Sequence, residues 1–263
     1  MSVLRQQLRL FFVALQFLTR LPVPRWVGFE APWLPQATRY FALVGALVGA
    51  FGAAVALAAL QLWPPAVAAA LAVAGTLWLS AALHEDGLAD TCDALFGAAP
   101  RERALAIMKD SRIGSYGAAA LCLSLLLRVL LLAALLARDP WLAAGACVAA
   151  HCAGRGTAVA LMAWLPYAGD ASQAKALPLD RERGRAEAGW ALLTGAAVLT
   201  LVGLAVPAVA QAAAAAGGLA LLLLALRSWL LRRLGGRTGD TLGAAEQLGE
   251  AVVLLAFAAT WVQ

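Results

Sequence analysis

Between Arg39 and His84 the chain carries no Asp, Glu, Lys, Arg or His. Forty-odd consecutive residues without a charge cannot be housed by a water-soluble fold, whose surface needs roughly a quarter of charged residues. Further apolar stretches of about 20 residues, the length that crosses a hydrocarbon core, recur along the chain. Spans are predicted at 41–62, 66–84, 113–137, 141–164, 188–210, 213–232 and 244–262. The Trp63-Pro64-Pro65 and Asp139-Pro140 breaks separate close neighbours. The fold class read from this pattern is all-α: a polytopic bundle of about seven membrane helices in one domain, residues 1–263.

Residues 1–40 stand apart from the bundle at 41–263. Over 2–19, Arg5, Gln6, Gln7 and Arg9 alternate with Leu8, Leu10, Phe11, Phe12 and Leu15. That run is too short and too charged to span, and reads as a helix lying in the interface. Pro22, Pro24, Pro32 and Pro35 then give an irregular connection, with Trp26 and Trp33 suited to the headgroup level. The first apolar run, Leu10 to Leu18, lacks the small-residue cleavage site of a secretory signal.

Overall, 63% of the 263 residues are hydrophobic and 13% charged, with net charge +5. The basic residues gather on alternate connections: Arg5, Arg9, Arg20, Arg25 and Arg39; Arg101, Arg103, Lys109 and Arg112; Lys175, Arg181, Arg183 and Arg185; Arg232, Arg233 and Arg237. The opposite connections hold only Arg138. The excess is therefore a topology signal and not a nucleic-acid footprint. It places the N-terminus in the cytoplasm and the C-terminus outside. Cys92, Cys122, Cys147 and Cys152 form no CxxC pair or zinc spacing. Gly45, Gly49 and Gly52 make a small-residue stripe suited to close helix packing.

Chemistry is concentrated on that same basic side. Asp86, Asp90 and Asp93 are spaced i, i+4, i+7 and fall within about 60° on a helix. Three carboxylates on one face repel unless a cation lies between them, and a hard divalent ion such as Mg²⁺ is the economical answer. His84 could ligate, relay a proton or cap the span. Glu85 points away from the Asp face and reads as solvated. Asp110, Ser111, Arg112 and Gly114 open the third span, as N-caps or as an anion site. Arg155, between Gly154 and Gly156, suits phosphate recognition. Arg128 pairs internally or faces the site, and His151 reads as a packing residue. Thr238 and Asp240 lie in a Gly-rich turn that lacks the GK[ST] ending of a Walker loop. Glu246 and Glu250 enter the last span, where carboxylates are functional suspects by default.

At these residues the chain resembles the cobalamin synthase family, adenosylcobinamide-GDP ribazoletransferase. Phe17-Leu18-Thr19-Arg20-Leu21-Pro22-Val23-Pro24 is similar to its N-terminal signature. His84-Glu85-Asp86-Gly87-Leu88-Ala89-Asp90-Thr91-Cys92-Asp93 is similar to its H-x-D-G-L-A-D-T-x-D core. Met108 to Gly114, Arg155-Gly156-Thr157 and Thr238 to Ala244 follow in the expected order. Ala94 stands where the core is usually followed by Gly, and Gln247 where Glu is usual. The resemblance implies a Mg²⁺-dependent enzyme of the bacterial inner membrane, multi-pass, with its active site on the cytoplasmic side. The implied reaction joins adenosylcobinamide-GDP and α-ribazole, or its 5′-phosphate, to give adenosylcobalamin, or its 5′-phosphate, and GMP. Asp86, Asp90 and Asp93 would hold the metal. One of them, or His84, would take the hydroxyl proton. Asp110, Ser111, Arg112, Gly114, Arg155, Thr238 and Asp240 would contact phosphate. Expected partners are these small molecules and the lipid bilayer, with no nucleic acid and a homo-oligomer left open. Two alternatives stand beside this reading: a CDP-alcohol phosphotransferase-like lipid enzyme, and an ion-coupled transporter with the three aspartates as its cation site.

Overall fold

The computed structural model describes residues 3–97, 99–169 and 181–260, with side chains in the last stretch from Gly184 onward. Lys175 and the side chains of Arg181 and Arg183, expected in a basic loop, lie outside the described residues. Helices follow in the order α1 (Val3–Leu18), α2 (Trp33–Ala37), α3 (Phe41–Ala59), α4 (Pro65–Leu79), α5 (Leu83–Leu95), α6 (Arg101–Ile107), α7 (Ser115–Arg138), α8 (Pro140–Trp164), α9 (Arg181–Ala205), α10 (Val209–Leu234) and α11 (Gly239–Ala258). No strand forms among the described residues. The fold is the expected all-α bundle. Six helices are long and apolar enough to cross a membrane, and seven spans result when the bent pair α4–α5 counts as one.

The second span departs from the predicted 66–84. α4 stops at Leu79, and α5 leaves it at 90°. Between them Ala81 and Ala82 take left-handed backbone angles, φ 57° and 55°. Each such non-glycine residue costs about 1–2 kcal/mol. Backbone hydrogen bonds hold the turn, from Ala82 N to Leu77 O at 3.0 Å and from Leu83 N to Ser80 O at 3.2 Å. The charged run therefore does not finish a span; it starts a helix of its own.

α8 is the central element, with most of its length buried. It starts on Asp139, whose carboxylate accepts from Trp141 N and Leu142 N, with Pro140 at the first position. α3 lies against it through the glycine stripe. A Cβ on Gly49 would stand 2.6 Å from Cys147 O and 2.7 Å from Val148 Cα, so only hydrogen there permits this approach. α1 packs Leu10, Val13, Ala14 and Leu18 into a cluster with Phe41, Val44, Val159 and Ala191, leaving Val3 and Leu4 exposed. That is the one-sided burial expected of an interfacial helix. Arg39 ties this corner to α9 through Glu187 at 2.5 Å. All four cysteines are free thiols.

Candidate active site

α5 carries the sequence core, and its two sides differ. His84, Glu85, Gly87, Leu88, Ala89, Thr91 and Cys92 are buried. Asp86 is exposed, and Asp90 and Asp93 are half-buried. None of the three aspartates is on the fully buried side, and Asp86 is the most exposed. Glu85 and Asp86 lie in the first turn, where the helix dipole favours negative charge.

Asp93 is fixed from outside its own helix. Its Oδ2 accepts from Gly114 N at 2.7 Å and its Oδ1 from Gly117 N at 2.8 Å. Those N–H groups are the orphan donors at the start of α7, so a carboxylate of α5 caps α7. Of the two readings of Asp110 and Ser111, capping of α7 is the one the structure does not bear out. Both precede the true start at Ser115, and the N-cap residue is Gly114. Asp110 clasps the exposed Arg112 at 2.6 Å, and the guanidinium holds the Asp110 carboxyl down to about 2.

α11 crosses α5 at glycines. A Cβ on Gly87 would meet Asp240 O at 2.8 Å, Asp240 Cα at 3.1 Å and Gly243 Cα at 3.2 Å. This contact sets Asp240, in the first turn of α11, beside the residues between Asp86 and Asp90. Thr238 is buried and committed to a capping box with Thr241. The turn before it is pinned by arginines. Arg237 donates to Met162 O at 3.1 Å, and burial pulls its guanidinium down to about 10. Arg101 donates to Leu234 O at 2.7 Å and Ala168 O at 2.9 Å. Arg233 donates to Leu95 O at 3.0 Å and Gly97 O at 2.9 Å. The ends of α5, α8 and α10 and the start of α11 are therefore one braced surface.

Beneath that surface lies a second group that sequence reasoning did not assemble. Arg128 donates to Glu85 Oε1 at 2.8 Å and to Glu250 Oε2 at 3.0 Å. Arg155 donates to Glu246 Oε1 at 2.5 Å, Glu250 Oε1 at 3.2 Å and His151 O at 3.1 Å. His151 Nδ1 contacts Glu250 Oε1, and His84 Nδ1 lies 3.7 Å from Glu246 Oε2. Every member is under 9% exposed. Glu85, expected in solvent, is thus buried against Arg128, because the side of α5 opposite Asp86 faces α7 and α11. His151 is a contact partner of Glu250 and not merely a packing residue. Arg155 sits 2% exposed among carboxylates, apart from the outward aspartates. Pairing was the missing signal: two arginines and two glutamates inside apolar spans must meet, since lone charges there are prohibitive.

Among the described residues, His151, Glu246 and Glu250 are the acidic and imidazole groups whose ligand atoms fall within 4.8 Å of one another. Arg155 already occupies that cluster. The adjoining cavity, lined by Thr76, Arg128, His151 and Glu250, measures about 20 Å³, room for about one water. Substrates cannot be worked on there. The exposed candidate groups lie elsewhere: Asp86 on α5 and Arg112 in the segment before α7.

Residues 10–258 match the model of the cobalamin-5-phosphate synthase family. The chain belongs to that family. It is 49% identical to an adenosylcobinamide-GDP ribazoletransferase of Leptothrix cholodnii, over the full length of both chains. A protein of that name from Ralstonia nicotianae is 45% identical over 97% of this chain and 96% of its own. One from Shewanella pealeana is 41% identical over 99% of this chain and all of its own. No solved structure matches the chain. These relatives favour neither a CDP-alcohol phosphotransferase nor a transporter.

Proposed function

We propose that this protein is a membrane-embedded adenosylcobinamide-GDP ribazoletransferase. It joins adenosylcobinamide-GDP to α-ribazole, or its 5′-phosphate, and releases GMP with adenosylcobalamin, or its 5′-phosphate. Full-length similarity to proteins of that name supports the reaction. The observation that carries the site is the outward row of Asp86, Asp90 and Asp93 on a helix held from behind.

A ribose hydroxyl of the ribazole attacks the phosphorus next to cobinamide. The new P–O bond forms as the bridge to the GMP phosphate breaks, GMP departs, and the hydroxyl proton passes to a base. Asp86, exposed at the start of α5, is placed to accept it from a substrate docked outside the bundle. Carboxylates are the donors a hard cation prefers, and Asp86 is the exposed one of the three, while Asp93 already accepts from Gly114 N and Gly117 N. The residues that would hold a Mg²⁺ in this proposal are Asp86, Asp90 and Asp93, although their ligand atoms do not close to within 4.8 Å of one another. Such an ion supplies neutralisation of charge on the phosphoryl oxygens. Arg112, held by Asp110 in the exposed loop with Ser111 before Gly114, is the phosphate-binding guanidinium of this proposal. Asp240 forms the opposite rim. Arg155 supports the site from beneath through Glu246 and Glu250.

The proposed setting is the bacterial inner membrane, with the aspartate face and the N-terminus in the cytoplasm. Arg101, Arg103, Lys109, Arg112, Arg232, Arg233 and Arg237 gather at that end and Arg138 at the other. Reporter fusions at the two termini should report opposite sides. Purified protein should release GMP from adenosylcobinamide-GDP only when α-ribazole or its 5′-phosphate and a divalent ion are present. Asp90→Asn should abolish release; full turnover by that variant, with an unchanged Mg²⁺ requirement, sinks the assignment of the site.

A further inference from the structure

Resting on that reading of the aspartate face, we infer that Arg128 is a positioning residue for the reaction. It fixes α5 against α7 and α11 through Glu85 and Glu250, and so sets where Asp86 and Asp90 stand relative to Asp240. The argument starts from how α5 is held. The helix is pinned to α7 twice. At its far end Asp93 accepts the two N–H groups at the start of α7. At its near end Glu85 accepts from Arg128, thirteen residues along α7 from Ser115, or about 20 Å at 1.5 Å per residue. Asp86 and Asp90 lie between the two pins.

The second guanidinium nitrogen of Arg128 bonds Glu250 on α11. α11 is the helix whose Asp240 backbone lies against Gly87. One planar fork therefore joins the two helices that flank the reacting phosphate in this proposal. A lysine there would keep the charge and lose the two-directional geometry. Both ion pairs are nearly dry, at 4% and 5% side-chain exposure for Arg128 and Glu85 and 2% for Glu250. Bonds of that kind are less softened by competing water than surface pairs. Glu85 adjoins Asp86 in the chain, so any slack in this tether is delivered directly to the outward face.

The decisive variant is Glu85→Ala, which frees α5 while leaving Arg128 paired with Glu250. In the full-length protein in detergent, Mn²⁺ affinity read by electron paramagnetic resonance should fall about tenfold, as losses of ligand-orienting partners generally do. The kcat should fall with it, while the KM for adenosylcobinamide-GDP stays within about twofold. Glu85→Gln, still an acceptor for Arg128, should recover most of both. Arg128→Lys should move the same readouts as Glu85→Ala and serves if the alanine variant does not accumulate. Leu132→Ala, one turn along α7 in the apolar core, should lower the melting temperature without changing Mn²⁺ affinity or kcat. Wild-type Mn²⁺ binding and kcat in Glu85→Ala, beside an inactive Asp90→Asn, overturn the inference alone. So does Leu132→Ala shifting both in proportion to its melting temperature. Normal Mn²⁺ binding and turnover in Asp90→Asn instead overturn the aspartate reading on which it rests.

Discussion

Replacing Gly87 by alanine adds one methyl group where α5 and α11 touch. That methyl would sit 2.8 Å from Asp240 O and 3.1 Å from Asp240 Cα. Both neighbours are backbone, so neither can rotate aside. Restoring ordinary contact near 3.4 Å moves the start of α11 by about 0.6 Å. Overpacking of this kind costs about 1–3 kcal/mol, against which alanine returns about 1 kcal/mol of helix propensity. The net loss of about 0–2 kcal/mol should lower the melting temperature by only a few degrees. Catalysis is the sharper readout. Misplacement by 1 Å can cost about 100-fold, so about 0.6 Å should lower kcat roughly tenfold. The assay is GMP release at saturating substrates, with Gly97→Ala as comparison because a Cβ there meets nothing within 4 Å. Wild-type kcat in Gly87→Ala would falsify the claim that this crossing places Asp240 for function.

Arg155→Met should leave Glu246 and Glu250 short of a cation and destabilise the protein by about 3–5 kcal/mol; adding Glu246→Gln should restore much of the melting temperature, whereas a purely catalytic role for Arg155 predicts no rescue. Asp93→Ala should cost about 1–2 kcal/mol, because it removes the carboxylate that caps α7. The same change at the exposed Asp86 should leave the melting temperature unchanged, and equal losses at both positions would refute the capping role. The Asp110 carboxyl is depressed from its ordinary 3.8 to about 2, so the order its clasp contributes is complete above about pH 4 and lost as pH falls through about 2. Asp110→Asn should therefore not shift the acid limb of the pH–rate profile between pH 5 and 8, and a displaced limb would count against the clasp.

The spans and the aspartate row were legible because hydropathy and helical period are local properties of the chain. Asp86, Asp90 and Asp93 lie within eight residues, and their common face follows from arithmetic. What was not legible depends on partners distant in sequence. Glu85 reads as solvated until Arg128, 43 residues later, is seen to reach it. Asp110 and Ser111 offer themselves as local caps of α7 in the sequence, while the structure takes the carboxylate from Asp93, 21 residues earlier than Gly114. The break after Leu79 had no glycine or proline to announce it. Ala81 and Ala82 adopt left-handed angles under tertiary constraint, which composition does not encode.

The 90° break between α4 and α5 also sets an order for biogenesis. α4 is apolar throughout and can enter the bilayer as it is made. α5 carries Glu85, Asp86, Asp90 and Asp93 and cannot, because bare carboxylates in hydrocarbon are strongly disfavoured. Glu85 finds its counter-charge only when α7 delivers Arg128, and the second guanidinium nitrogen of that arginine is partnered only when α11 delivers Glu250. The helix that bears the aspartates must therefore wait at the membrane surface until α7 has been synthesised. A nascent chain cut before α11 still lacks Asp240 beside Gly87 and the second partner of Arg128, so its aspartate face is held on one side only.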